Sequence, residues 1–124
     1  MKVIDLISAK NAFDLNSKFD GDMQLALKVV KFVKAAETEE IFYEKRYNEI
    51  VNRYAEKDND GKFVHKDNGI IIKKDCVEDF SKEIENLNAV ETEKPAFEFT
   101  ADELNKCSLT GNGLYALYPF IKEI

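Results

Sequence analysis

The chain has 124 residues, the length of one domain, and its 44% of apolar residues supply enough core material to exclude intrinsic disorder. Its 18 Lys and Arg stand against 24 Asp and Glu, giving a formal net charge of −6. That balance argues against direct binding of nucleic acid or of an anionic membrane surface, because both need a basic face. No apolar run approaches the roughly 18 residues of a membrane helix. We therefore predict a single domain over residues 1–124 with neither nucleic acid nor membrane as partner.

The residue types that carry catalysis are sparse. Cys76 and Cys107 show no CxxC spacing, and the N-terminal segment does not read as a signal peptide, so we expect two reduced thiols. A pair formed by His65, the single histidine, with either thiol is the one route to nucleophilic catalysis, and no third residue to orient it is apparent. No P-loop, GxGxxG, GxSxG or HExxH motif occurs. We expect no enzymatic activity and no cofactor.

At the N-terminus, residues 2–7 (KVIDLI) predict a short strand. Ser8 is placed to cap a first helix over about residues 9–18. The sequence Asp20-Gly21-Asp22 then interrupts the chain and provides a cap for the next helix.

The dominant predicted element is a long helix over about residues 22–57, which contains neither Pro nor Gly. Apolar residues recur in steps of three and four, the spacing that keeps side chains on one helix face. Tyr is common both in cores and at interfaces, so the aromatic half of this stripe is either core or a contact surface for another chain. The stripe consists of Ala26, Val29, Val33, Ala36, Tyr43, Tyr47, Ile50 and Tyr54.

After the long helix, the dipeptide Asn68-Gly69 between two β-rich runs predicts a hairpin with strands 62–66 and 70–74. A third helix is predicted over about residues 76–88, opened by a capping box of Asp75 and Glu78. The fold class is therefore α+β and mostly helical, with one long helix packed with a small β-hairpin and shorter C-terminal helices.

The C-terminal part of the chain carries a second capping box, formed by Thr100 and Glu103, which opens a helical turn through about Lys106. The apolar tail after residue 113 is predicted to be helical in part, and Pro119 limits any helix that enters it.

An acidic loop follows the long helix and partly matches a calcium-binding loop. With Gly61 at the sixth position, Glu56, Asp58 and Asp60 take the first, third and fifth positions, and Asp67 takes the twelfth. The twelfth side chain is short for a bidentate ligand, and the segment after the loop reads as a hairpin. A solvated turn without metal is the favoured interpretation, with calcium bound by Glu56, Asp58, Asp60 and Asp67 as the weaker alternative.

The order of these features is similar to that of a known group of proteins. A long charged helix ends in YAEKDNDGK at residues 54–62, and a hairpin with DNG at 67–69 follows. FSKE at 80–83 then lies in a helix, and TADEL at 100–104 opens the last one. From about residue 22 onward this order resembles short proteins of tailed phages and prophages, of which the nearest label is phage domain of unknown function 1617. The resemblance implies a phage or prophage origin and no catalytic residues.

Together these observations predict a phage- or prophage-encoded, non-enzymatic protein–protein interaction protein, a virion or assembly component found in the host cytoplasm or with the virion. Its partner is a phage structural protein, and self-association through the long helix is a further expectation. The alternative is an anti-defence inhibitor, anti-CRISPR-like or a DNA mimic, that binds a host defence nuclease through its acidic surface. The expected partner-binding residues are Tyr43, Tyr47, Ile50, Tyr54, Asp67, Asn68 and Gly69.

Overall fold

The computed structural model describes residues 1–67 and 69–122, and its architecture is α+β and mostly helical, as the sequence predicts. One long helix, a two-stranded antiparallel hairpin and shorter C-terminal helices are all present. The helices are α1 Val3–Asn11, α2 Met23–Tyr54, α3 Val77–Asn88, α4 Ala101–Asn105 and α5 Gly111–Leu117, and the strands are β1 His65–Lys66 and β2 Gly69–Ile70. Within the described residues, no helix combines the length and apolar character needed to cross a membrane.

The chain divides into two compact units. Unit 1 comprises Met1–Ile41 and Glu91–Ile124, and unit 2 comprises Phe42–Val90. The division falls inside the sequence of α2, so the first part of this helix belongs to unit 1 and the last part to unit 2.

The predicted strand at residues 2–7 is wrong, because this segment forms α1. Val3, Leu6 and Ala9 are all buried, and their spacing of three places them on one helix face. Burial of that face in the core of unit 1 outweighs the β-propensity of the Val and Ile residues. Ser8 is not a cap either, since its hydroxyl donates to the carbonyl oxygen of Ile4 at 3.0 Å from within the helix.

The start of α2 agrees with the sequence prediction. Asp22 Oδ1 accepts the backbone N–H of Leu25 at 3.0 Å, the geometry of an N-cap. That N–H, followed by Lys106, lowers the pKa of Asp22 below its usual value. The turn before the cap has three successive positive φ angles, 49° at Phe19, 52° at Asp20 and 78° at Gly21.

The core of unit 1 is built around Phe32 of α2, which is fully buried. Its ring lies 5.7 Å from Phe13, 5.4 Å from Phe97, 5.6 Å from Phe99 and 4.9 Å from Phe120, each close to edge-on. The predicted stripe omitted Phe32, which lies next to Val33 on the same side of the helix. The buried face of α2 in this unit consists of Leu25, Val29, Phe32, Val33 and Ala36.

In unit 2 the hairpin strands are shorter than predicted, with His65 paired to Ile70 and Lys66 to Gly69. Gly69 therefore belongs to β2 and not to the turn. Asp67 enters the turn with a φ of 51°, and Asn68 lies outside the described residues. Isolated bridges between Ala55 and Ile72 and between Lys57 and Phe63 join the segment after α2 to the hairpin.

Of the two predicted capping boxes, one is confirmed and one is wrong. The Thr100 side chain accepts the N–H of Glu103 at 3.2 Å, and Glu103 Oε1 accepts the N–H of Thr100 at 3.0 Å. The box of Asp75 and Glu78 is absent, because a short 3₁₀ turn precedes α3 and Cys76 takes the capping position without a side-chain bond. In the tail, α5 ends at Leu117 and a 3₁₀ turn containing Pro119 follows, as predicted.

Candidate functional site

Unit 2 contains an open groove with a volume of about 630 Å³. This volume falls in the range of roughly 300–1,000 Å³ that is typical of binding pockets in proteins. Four lining residues come from the last turns of α2, three from the hairpin and its flanks, and one from α3. They are Tyr47, Asn48, Val51, Asn52, Phe63, Ile70, Ile72 and Phe80.

The helical part of the lining follows from the spacing of its residues. Tyr47 and Val51 are one turn apart, as are Asn48 and Asn52, so all four side chains face the same side of α2. Val51 is 8% exposed and forms apolar floor, whereas the two asparagine side chains are exposed. The groove therefore combines a buried apolar base with two neighbouring amides that are open to a ligand.

The groove has an uncharged lining with an apolar rim. The eight described residues that line it include no Asp, Glu, Lys, Arg or His. At the rim, Tyr47 is 40% exposed and Ile70 is 38% exposed. Such a lining suits an apolar group that also makes a small number of hydrogen bonds to neutral polar atoms.

Tyr47 stacks on a second tyrosine that is held in place. The rings of Tyr43 and Tyr47 lie 6.2 Å apart and nearly parallel, at 17°. The Tyr43 hydroxyl donates to Asn88 Oδ1 at 2.8 Å, and burial, followed by the influence of Tyr47, raises the pKa of Tyr43. Tyr43 therefore supports Tyr47 from a half-buried position, and Tyr47 presents the exposed ring.

The other two predicted contact residues of α2 lie elsewhere. Ile50 is 9% exposed and belongs to the interior of unit 2. Tyr54 is half-buried and packs edge-on against Phe80, with ring centres 6.3 Å apart. The Tyr54 hydroxyl, ahead of Arg53, lowers the pKa of Glu83, and Arg53 Nη1 lies 2.6 Å from Glu83 Oε1. Of the four predicted contact residues of α2, only Tyr47 therefore lines the groove.

The predicted hairpin tip is exposed at Asp67 and Gly69, whereas Asn68 lies outside the described residues. Gly69 directly precedes Ile70 of the groove rim. Sequence reasoning missed the other seven residues of the groove lining, namely Asn48, Val51, Asn52, Phe63, Ile70, Ile72 and Phe80. For Val51 the available signal was its spacing of four residues from Tyr47, which places both side chains on one side of α2.

The acidic loop forms a hydrogen-bonded turn. Asp58 Oδ1 accepts the N–H groups of Asp60 at 2.9 Å and Lys62 at 3.0 Å. Across residues 1–67 and 69–122, no three His, Cys, Asp or Glu side chains are grouped so that they could hold a metal ion. The four proposed calcium ligands, Glu56, Asp58, Asp60 and Asp67, therefore do not converge.

The two cysteines are free thiols in different settings. Cys76 is half-buried before α3 in unit 2, and Cys107 is buried in unit 1. Burial, followed by the charge of Glu103, raises the pKa of the Cys107 thiol and disfavours the reactive thiolate. His65 lies in β1 of unit 2 and has an exposed side chain.

Comparisons of the chain with known protein families, with curated proteins and with solved structures gave no match.

Proposed function

We propose that this protein is a non-enzymatic protein–protein interaction protein that holds an apolar segment of its partner in the groove of unit 2. One observation carries the proposal: an open, uncharged groove of about 630 Å³ with the exposed apolar side chains of Tyr47 and Ile70 at its rim. Aromatic side chains with one polar end are enriched at the centres of protein interfaces.

The polar part of the lining favours a polypeptide as ligand. Each side-chain amide of Asn48 and Asn52 offers both hydrogen-bond donors and an acceptor, which matches the paired N–H and C=O groups of a peptide backbone. An apolar side chain of the partner would fill the space above Val51, while its backbone bonds to the amides. This combination of an apolar anchor and neutral hydrogen bonds is typical of peptide recognition.

The chemistry of the lining also supports a binding role over catalysis. General acid–base catalysis needs a titratable side chain with a pKa near the working pH. Within the described part of the chain, the phenol of Tyr47 is the sole titratable group among the eight residues that line the groove. This composition therefore favours binding over proton transfer.

The biological setting follows from the resemblance to short phage and prophage proteins. It supports a virion or assembly component whose partner is a structural protein of the same phage. The alternative, an anti-defence inhibitor of a host nuclease, is supported by the net charge of −6. Unchanged activity of a panel of host defence nucleases in the presence of the protein would remove that alternative.

The groove is tested by selection from a library of displayed random peptides. We expect the enriched peptides to carry large apolar residues, because these fill the apolar base. Asn48→Lys and Asn52→Lys should each weaken binding of a selected peptide by about tenfold or more, since each places a charge against an apolar ligand. Asn105→Lys is the matched control, because Asn105 is an exposed asparagine of unit 1.

Enrichment of charged peptides without apolar residues would contradict the proposal. Equal binding by the two groove variants and the Asn105→Lys control would contradict it as well, because the ligand would then lie outside the groove.

A further inference from the structure

The first part of α2 carries a second stripe of side chains, separate from the face that forms the core of unit 1. Its members follow each other in alternating steps of four and three, the spacing of a two-helix seam. Four of them are apolar and exposed, with Met23 at 77%, Leu27 at 54%, Val30 at 37% and Ile41 at 66%. The full outer stripe is Met23, Leu27, Val30, Lys34, Glu37 and Ile41, all in unit 1.

Single exposed apolar residues are ordinary on protein surfaces, but a set that repeats at the helix spacing is not. The core of unit 1 uses a different face of α2, which carries Val29, Phe32 and Val33. The outer stripe is therefore not needed to hold unit 1 together. An exposed apolar stripe of this kind marks a surface that packs against a partner, and a helix fits its spacing.

The two charged members of the outer stripe indicate which partner fits it. Lys34 and Glu37 have opposite charges at neighbouring stripe positions, and both are exposed. Among residues 1–67 and 69–122, neither side chain takes part in an ion pair or a hydrogen bond with the rest of the chain. Each charge is thus available to a partner that presents the opposite charge one stripe position away.

We propose that a second copy of this chain packs antiparallel on the outer stripe, about a two-fold axis between residues 34 and 37. In this register Lys34 faces Glu37 of the second copy, and the symmetry repeats the pair. Val30 faces Ile41 of the second copy on both sides of the charged layer. A parallel pairing would oppose Lys34 to Lys34 and Glu37 to Glu37, so like charges disfavour it.

In this arrangement the Val30 and Ile41 layers on either side shield the two ion pairs from water. Shielded charge pairs contribute mainly to orientation and specificity. The outer stripe therefore encodes a homodimer of defined direction. The contact over residues 30–41 of the two copies shares no residue with the groove in unit 2, so this inference does not depend on the groove.

Charge exchange tests the dimer. Sedimentation equilibrium of the full chain should show self-association that Lys34→Glu and Glu37→Lys each weaken about tenfold or more, because each change creates two like-charge contacts. The double variant K34E/E37K should return to within about threefold of the original association constant, since it restores both pairs with reversed sign. An equimolar mixture of the two single variants should form a heterodimer.

Two variants control for the change in net charge. Lys18 and Glu93 are exposed residues of unit 1 outside the outer stripe, so Lys18→Glu and Glu93→Lys should leave self-association unchanged. Circular dichroism checks that every variant keeps its helix content. The proposal is overturned by a chain that stays monomeric at all concentrations, by single variants that associate like their controls, or by a double variant that fails to recover.

Discussion

At the scale of single residues, the capping box of Thr100 and Glu103 connects local sequence to the packing of unit 1. The Glu103 carboxylate bonds the N–H of Thr100 and also forms an ion pair with Lys28 of α2, at 3.0 Å. The short helix α4 is thereby fastened to the long helix within the same unit. The Thr100 hydroxyl oxygen contributes one bond to this arrangement, by accepting the backbone N–H of Glu103.

Replacing Thr100 tests the importance of that hydroxyl. We expect Thr100→Ala to lower the free energy of unfolding by about 1 kcal/mol, because the N–H of Glu103 loses its acceptor. Thr100→Ser keeps an oxygen at the same place and should lie close to the original protein. Urea unfolding monitored by circular dichroism measures both, and equal stability of the Ala and Ser variants would show that the bond contributes nothing.

The burial of Cys107 can be tested by the rate at which its thiol reacts. Cys107 is 9% exposed, its Sγ donates to the carbonyl oxygen of Glu103 at 3.5 Å, and its pKa is raised by burial. Because the thiolate is the reactive form, iodoacetamide at neutral pH should modify Cys76 about tenfold or more faster than Cys107. Peptide mass spectrometry over time measures both rates, and denaturant should equalise them. Equal rates in the folded protein would contradict the burial of Cys107.

At the scale of elements, the start of α2 depends on a backbone conformation that few residues adopt easily. Gly21 has a φ of 78° and directly precedes the Asp22 cap. A Cβ added at Gly21 meets nothing within 4 Å, so the cost of a larger residue there comes from the backbone alone.

Two alanine substitutions within unit 1 separate backbone strain from the general effect of removing a glycine. Gly21→Ala should lower the free energy of unfolding by about 1–2 kcal/mol, because it forces an L-residue into the left-handed region. Gly111→Ala should be neutral or slightly stabilising, since Gly111 lies in α5 with open space around it and without a positive φ. Thermal unfolding measures both, and a cost at Gly111 equal to that at Gly21 would contradict this reading.

Some elements of the fold could be predicted from the sequence and others could not. The long helix, the Asp22 cap and the Thr100 box depend on neighbours within a few residues, so their patterns are visible locally. The segment at residues 2–7 was misread because its side chains are buried as a helix by distant parts of unit 1. The hairpin was placed correctly, but its turn lies one residue earlier than Asn68-Gly69 suggested, since Lys66 pairs with Gly69.

The candidate site was less predictable than the fold, because it is formed where three separate segments meet. Tyr47 could be named in advance from its position on the helix stripe. Phe63 and Ile72 could not, since their proximity to Val51 depends on how the hairpin packs on α2. Tyr47 and Ile50 were both predicted to contact a partner. They are only three residues apart on α2, yet Ile50 is buried in the interior of unit 2 whereas Tyr47 lies exposed at the groove rim.

At the scale of the whole molecule, the two units contribute different surfaces. Unit 1 has a core of edge-packed Phe rings and carries the outer stripe proposed for self-association. Unit 2 contains the hairpin and the groove proposed for a partner segment. A dimer of this kind would present two grooves, so that a repetitive partner would be bound more tightly than a single copy of its segment.

The binding of a partner segment in the groove is tested most directly by amide NMR spectra of the full chain, recorded with and without a selected apolar peptide. We predict that the perturbed amides cluster at the groove residues 47–52, 63, 70, 72 and 80, while the amides of unit 1 around Phe32 keep their positions. Perturbations confined to unit 1 or to the acidic turn at residues 56–62 would contradict the proposed function.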